Sequence, residues 1–222
     1  MSRRVLAISA HPDDETLGCG GTLLRHRAAG DEVSWLIVTA PWTPLFDEAW
    51  IARRQTEIEA VAAAYGMVSV HRLDLPTTRL DGLPLTEVMT PMEKAIDAVD
   101  PDLVYVVHRG DVHSDHRVVF DAAVAVLKPF RRRRQATIHA YECPSSTNLA
   151  PPSADRAFLP QVYCDISGEI ERKLEILALY ESEVLPAPHP RSLEAVRALA
   201  RYRGSAVAVD HAEAFMVVRA LW

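Results

Sequence analysis

Cysteine is scarce and unpaired in pattern: Cys19, Cys143 and Cys164 are widely spaced, odd in number and without a CxxC pair. A disulfide framework is therefore not expected, and a reducing compartment fits best. Long hydrophobic runs are lacking too, since no stretch approaches the roughly 18 apolar residues of a membrane helix. The N-terminus passes from Arg3 and Arg4 straight into a short apolar stretch, without a signal-peptide core and cleavage site. These features predict a cytoplasmic protein with no membrane span. Positive charge is in deficit, with 24 Lys and Arg against 30 Asp and Glu and a formal net charge of −6. That balance offers no basic field for nucleic acid or anionic lipid, and the single basic block, Arg131 to Arg134, reads as a solvated connector. Internal repeats and low-complexity tracts are missing. A chain of 222 residues, 49% hydrophobic, can bury a full core and is expected to form one α/β domain over residues 1–222.

What the sequence does have is concentrated in Val5 to Gly21, VLAISAHPDDETLGCGG. Val5 to Ala10 reads as a buried strand, and the glycines Gly18, Gly20 and Gly21 open a helical pattern at Thr22 to Arg27. His11, Asp13, Asp14 and Glu15 thus fall on a strand-to-helix turn, at the strand end where open parallel sheets bind ligands. Three consecutive acids repel one another unless a cation lies against them. His11 and Asp14 offer mixed nitrogen and oxygen donors suited to a catalytic zinc, which usually takes three protein ligands plus water. One ligand is missing. The bland alternative is that Asp13 or Asp14 merely caps the following helix.

A second cluster weighs against that alternative. Asp111 to Arg117, DVHSDHR, follows the apolar run Leu103 to Val107 and precedes a helical pattern from Val118 to Leu127. Parallel strands bring such ends together, so His113 or His116 can supply the third ligand. A dinucleotide-binding reading of the glycines fails on spacing, which is not GxGxxG, and on the acids, which would repel a pyrophosphate.

AHPDDETLGCGGTL together with HSDH resembles the LmbE/PIG-L family of zinc-dependent N-deacetylases, which act on glucosamine-containing substrates. The resemblance is densest over residues 4 to 120. It implies a Rossmann-like, three-layer α/β fold with a mostly parallel sheet, and Zn2+ bound by His11, Asp14 and His116; three ligands plus water define one site, in which Fe or Co is an exchangeable substitute. It further implies Asp13 as general base, His113 as electrostatic partner of the reacting carbonyl, and Asp115 as the residue that orients a histidine. The expected partner is a small amino-sugar substrate, with a homo-oligomer left open. The competing class is a metal-dependent sugar-binding or sensor protein without turnover. A spare Asp13 and His113 argue against it, because a pure binding site needs no base.

Along the rest of the chain strands and helices alternate. Expected strands are Glu32 to Thr39, Val68 to Leu73, Thr137 to Glu142, Gln161 to Asp165 and Ala214 to Val218; expected helices are Ala49 to Tyr65, Pro84 to Val99, Gly168 to Tyr180 and Leu193 to Tyr202. Four residues outside the motifs are candidates for substrate contact: Trp42 in a proline-containing loop, Arg54 in the helix after it, and Tyr141 and Glu142 where a strand enters a long loop. For Arg54 the simpler expectation is a solvated face with an i to i+3 pair. His108 reads as a hydrogen-bonded histidine near the site, and His26, His71, His139, His189 and His211 as structural or surface residues. Cys19 reads as a small packing residue.

Overall fold

The computed structural model describes residues 2–132 and 134–221; Arg133 of the basic run, Met1 and Trp222 lie outside them. Seven strands and six α-helices alternate for most of the chain: β1 Arg4–Ser9, α1 Asp14–Ala28, β2 Glu32–Ala40, α2 Glu48–Tyr65, β3 Ser69–Pro76, α3 Leu85–Val99, β4 Leu103–Val107, α4 Ser114–Val126, β5 Thr137–Tyr141, β6 Val162–Asp165, α5 Ile170–Leu177, α6 Leu193–Ser205 and β7 Ala212–Arg219. They build one α/β domain around a single sheet of order β3-β2-β1-β4-β5-β7-β6. The first five strands are parallel, while β7 runs antiparallel to β5 and β6 antiparallel to β7.

The central strands explain this layout. β4 is buried at every residue and β1 at every residue after Arg4, as expected for strands covered on both faces. From β1 the chain steps outward through β2 to β3, then returns across β1 to β4 and β5. Right-handed crossovers in opposite directions place helices on opposite faces. Accordingly α1 packs with α2 and α5, and α3 with α4. The reversal lies between β1 and β4, and both motifs sit at the carboxyl ends of these two strands.

Two boundaries differ from expectation for a physical reason. Helix α1 begins at Asp14, so its three glycines lie inside the helix rather than opening it. They serve close packing. A Cβ at Gly18 would lie 2.0 Å from the Tyr141 ring, and one at Gly21 2.8 Å from Ile166. Likewise α4 begins at Ser114, which puts Asp115 and His116 in its first turn.

Candidate metal centre and cavity

The turn from β1 into α1 is tight. Asp14 Oδ2 accepts the His11 backbone N–H at 2.8 Å, and Asp13 sits at φ 125°, a backbone that L side chains rarely adopt and that clusters at functional sites. Asp13 makes no side-chain bond to the helix, so helix capping does not explain it. On the second turn His113 precedes α4, and its Nδ1 accepts the Asp115 backbone N–H at 3.2 Å. A ring nitrogen that accepts carries no proton. The neutral His113 imidazole therefore bears its proton on Nε2.

Together the turns gather His11, Asp14 and His116, whose donor atoms lie within 4.8 Å of one another. His116 turns Nε2 toward Asp14 Oδ1 at 3.4 Å and holds Nδ1 2.7 Å from Asp111 Oδ2. His11 turns Nδ1 toward Asp14 Oδ2 at 3.6 Å, with Nε2 3.0 Å from Asp115 Oδ2. Each histidine thus presents one nitrogen to the site while a carboxylate holds the other, the arrangement that fixes the tautomer of a ligating imidazole. His11, His113 and Asp115 form a second compact group. Asp115 is already occupied there, because it also accepts the backbone N–H groups of Thr78 at 2.7 Å and Leu80 at 3.2 Å. Two imidazole nitrogens and the Asp14 carboxylate are a donor set that fits zinc or a neighbouring divalent transition metal.

Electrostatics point the same way. Burial opposes charge on His116, but Asp14 and the bond to Asp111 outweigh it and lift its pKa to about 10. Burial also works against the Asp14 carboxylate, yet His116 and His11 hold it below the usual range. The cluster draws a positive charge into its centre. Asp13 goes the other way: burial, then the neighbouring Asp14 charge, raises it well above an ordinary carboxylate, against Arg191 and Arg54. His113 is lowered to about 4 by burial and by the adjacent His11 and His116. Its neutral, Nε2-protonated ring is a hydrogen-bond donor at neutral pH.

These residues face a cavity of about 290 Å³. His11, Asp13, Asp14, His113 and His116 line it, joined by Arg54, Glu183, Arg191, Cys143 and an apolar stretch from the β2–α2 loop. Arg54 is not on a solvated face. It is buried, pairs with Glu57 at 3.3 Å and with Glu183, and donates to the Pro12 carbonyl at 3.3 Å. The other three substrate candidates lie outside this cavity's lining. Trp42 donates to the Thr77 carbonyl at 3.0 Å and carries the Arg79 guanidinium 3.6 Å over its ring. Tyr141 is fully buried against Gly18 and donates to the Ile8 carbonyl at 3.0 Å, and Glu142 is bound by Arg203 at 2.7 Å. None of the three lines the cavity. His108 is buried and held 3.0 Å from the Arg156 carbonyl.

Sequence reasoning missed three charged residues of the site, Asp111, Arg191 and Glu183. Asp111 was visible as the acid opening the second cluster, five residues before His116, a spacing that places it beneath that ring. Arg191, whose Nη1 lies 3.1 Å from Asp13 Oδ2 and 2.5 Å from Glu183, comes from a proline-rich connector that signals only a helix break.

Residues 6–127 match the family model described as PIG-L: GlcNAc-PI de-N-acetylase. The chain belongs to the PIG-L family. It is 28% identical over 170 residues to the Escherichia coli K12 protein named uncharacterized deacetylase YaiS, covering 74% of this chain and 83% of that one. Over 195 residues it is 27% identical to the diacetylchitobiose deacetylase of Thermococcus kodakarensis, covering 82% and 70% of the two chains. The crystal structure of the conserved protein TT1542 from Thermus thermophilus superposes with a TM-score of 0.79 at 26% identity, covering 99% of this PIG-L chain and 97% of that one.

Proposed function

We propose that this PIG-L family member is a zinc-dependent hydrolase that removes the acetyl group from an N-acetylglucosamine-type sugar or conjugate. The observation that carries the reading is the pairing of a three-donor cluster, His11, Asp14 and His116, with a carboxylate, Asp13, that belongs to the same cavity and to no ligand set. A pure binding site needs no general base, and the Asp13 side chain caps no helix. Deacetylases among the relatives support the same reaction class. His11, Asp14 and His116 would hold the metal, which would supply Lewis-acid polarisation of the acetyl carbonyl and lower the pKa of the attacking water. Asp13 takes the proton of the attacking water and returns it to the departing amine, which suits a carboxyl that burial, then the neighbouring Asp14 charge, makes more basic than an ordinary carboxylate. His113 donates Nε2–H to the carbonyl oxygen as charge develops on it. Asp115 and Asp111 hold the His11 and His116 rings. The three free cysteines support a cytoplasmic setting.

The test is a panel of N-acetylated amino sugars and conjugates scored for free acetate, free amine and intact glycosidic bond. Acetate and amine in equal amounts are expected. Cleavage of the glycosidic bond would assign a different reaction class, and binding without turnover would favour a sugar-binding protein.

A further inference from the structure

The cavity has two apolar regions, and they differ in exposure. Leu17 and Cys143 line it while being buried, and Cys143 Sγ lies 3.2 Å from Asp14 Oδ1. The second region is open. Phe46, before α2, and Trp50, in its first turn, stack with ring centroids 4.3 Å apart at 28°; both line the cavity and stay partly exposed. The shelf is tied to the centre by Arg54, whose guanidinium lies 4.7 Å over the Trp50 ring and bonds the Pro12 carbonyl of the catalytic turn. Val112, 51% exposed, adds an apolar group from the second turn.

We propose that this shelf receives the aglycone of the amino sugar and that the aglycone is neutral and apolar. The proposal rests on the deacetylase reading and refines it. A partly exposed aromatic pair beside a reaction centre gains by being covered with an apolar or aromatic face. Among the described residues that line the cavity, an anionic aglycone finds no free arginine or lysine. Arg54 is committed to Glu57 and Glu183, and Arg191 to Glu183 and Asp13. Glu183 itself lines the cavity and repels a second carboxylate.

The experiment compares acetate release from the methyl, phenyl and 4-carboxyphenyl glycosides of N-acetylglucosamine, in matched anomers, by the metal-loaded protein. Calorimetric binding of the corresponding deacetylated methyl and phenyl glucosaminides is measured beside it. The phenyl glycoside is expected to exceed the methyl one in kcat/KM by about tenfold, the worth of one good aromatic contact, with the amines binding in the same order. The carboxyphenyl glycoside is expected to lose that advantage. Phe46→Ala should bring the phenyl-to-methyl ratio toward one, while Phe46→Tyr preserves it. Equal turnover and equal binding of methyl and phenyl compounds, or preference for the carboxyphenyl glycoside, overturns the shelf and leaves the deacetylase reading standing. Faster release of hexanoate than acetate from methyl glycosides puts the apolar group on the acyl side and overturns it too. No acyl release from any glycoside, with the amine preference retained, removes the deacetylase reading while the shelf survives as a binding site.

Discussion

Helix α1 touches two buried charge clusters that are built on opposite plans. Along its middle, Glu213 accepts the backbone N–H groups of Gly21 at 2.9 Å and Thr22 at 2.7 Å, while Lys173 Nζ bonds Glu213 at 2.7 Å and the Leu17 carbonyl at 2.9 Å. One cation meets one anion, and the pair is enclosed. At the helix's N-terminus, Asp13, Asp14, Asp111 and Asp115 crowd around His11 and His116, with Arg191 the one guanidinium bonded to an acid of that group among the described residues. This cluster has surplus negative charge and opens onto a cavity. A cluster that balances its own charge is a structural device, whereas one left unbalanced at a cavity is shaped for a cation from outside.

Charge removal should separate the two clusters, and the largest effect belongs to the open one. Asp13→Asn keeps size and loses proton acceptance, so kcat should fall roughly 10²- to 10⁴-fold while metal content by elemental analysis stays at one per chain. Loss of the metal in that variant would make Asp13 a ligand. In the closed cluster the effect should be on stability alone. Lys173→Met leaves Glu213 buried and unpaired, which costs about 3–5 kcal/mol and lowers Tm on the order of 10 °C. Adding Glu213→Leu should recover part of that loss, and neither variant should change metal stoichiometry. A Lys173→Met protein that melts like the wild type would show the pair to be dispensable.

Smaller effects sharpen the contrast. Asp111 accepts from Thr147 and holds His116 Nδ1, so Asp111→Asn should weaken metal affinity about 10- to 100-fold, read by competition with a chromogenic chelator. An unchanged affinity would mean that the His116 ring needs no such support. Glu15, the third acid of the turn, is raised to about 7 by burial, against its bonds to Thr16 and Tyr180. Unfolded, it titrates near about 4.3. The folded state binds more protons between these values, so this group's contribution is most favourable below about pH 4 and declines as pH rises toward 7. Denaturant unfolding of metal-free protein at pH 5 and pH 8 should show a loss of about 2 kcal/mol from this group that Glu15→Gln removes. An identical loss in the variant would assign it to another residue.

How much of this could be read from the chain alone follows from the same contrast. The strands β1 and β4 were legible because burial on both faces demands continuous apolar runs, and the two His/Asp clusters because they follow those runs in the same polarity. Parallel pairing then brings His11, Asp14 and His116 together whatever the rest of the chain does. The antiparallel β7 and β6 carry no comparable signal of direction, since short apolar runs look alike either way. Gly18 and Gly21 misled by rule: glycine usually marks a helix end, but here the need is space for Tyr141 and Ile166. Tyr141, Glu142 and Trp42 looked like sugar contacts by chemistry, yet each is claimed by a nearer partner that only tertiary structure supplies. Arg191 reaches Asp13 across 178 positions of sequence, and no local pattern encodes such a meeting.

The central claim is that the surplus negative charge at the β1 and β4 turns holds a metal that runs amide hydrolysis. It is tested most directly by acetate release from a phenyl N-acetylglucosaminide, measured on protein stripped by a chelator and again after one equivalent of Zn2+ is returned. The stripped protein should be inactive and the reloaded protein should recover full activity at one zinc per chain. Acetate release that persists after stripping, or that stays absent after reloading with zinc, iron or cobalt across the whole substrate panel, would contradict it.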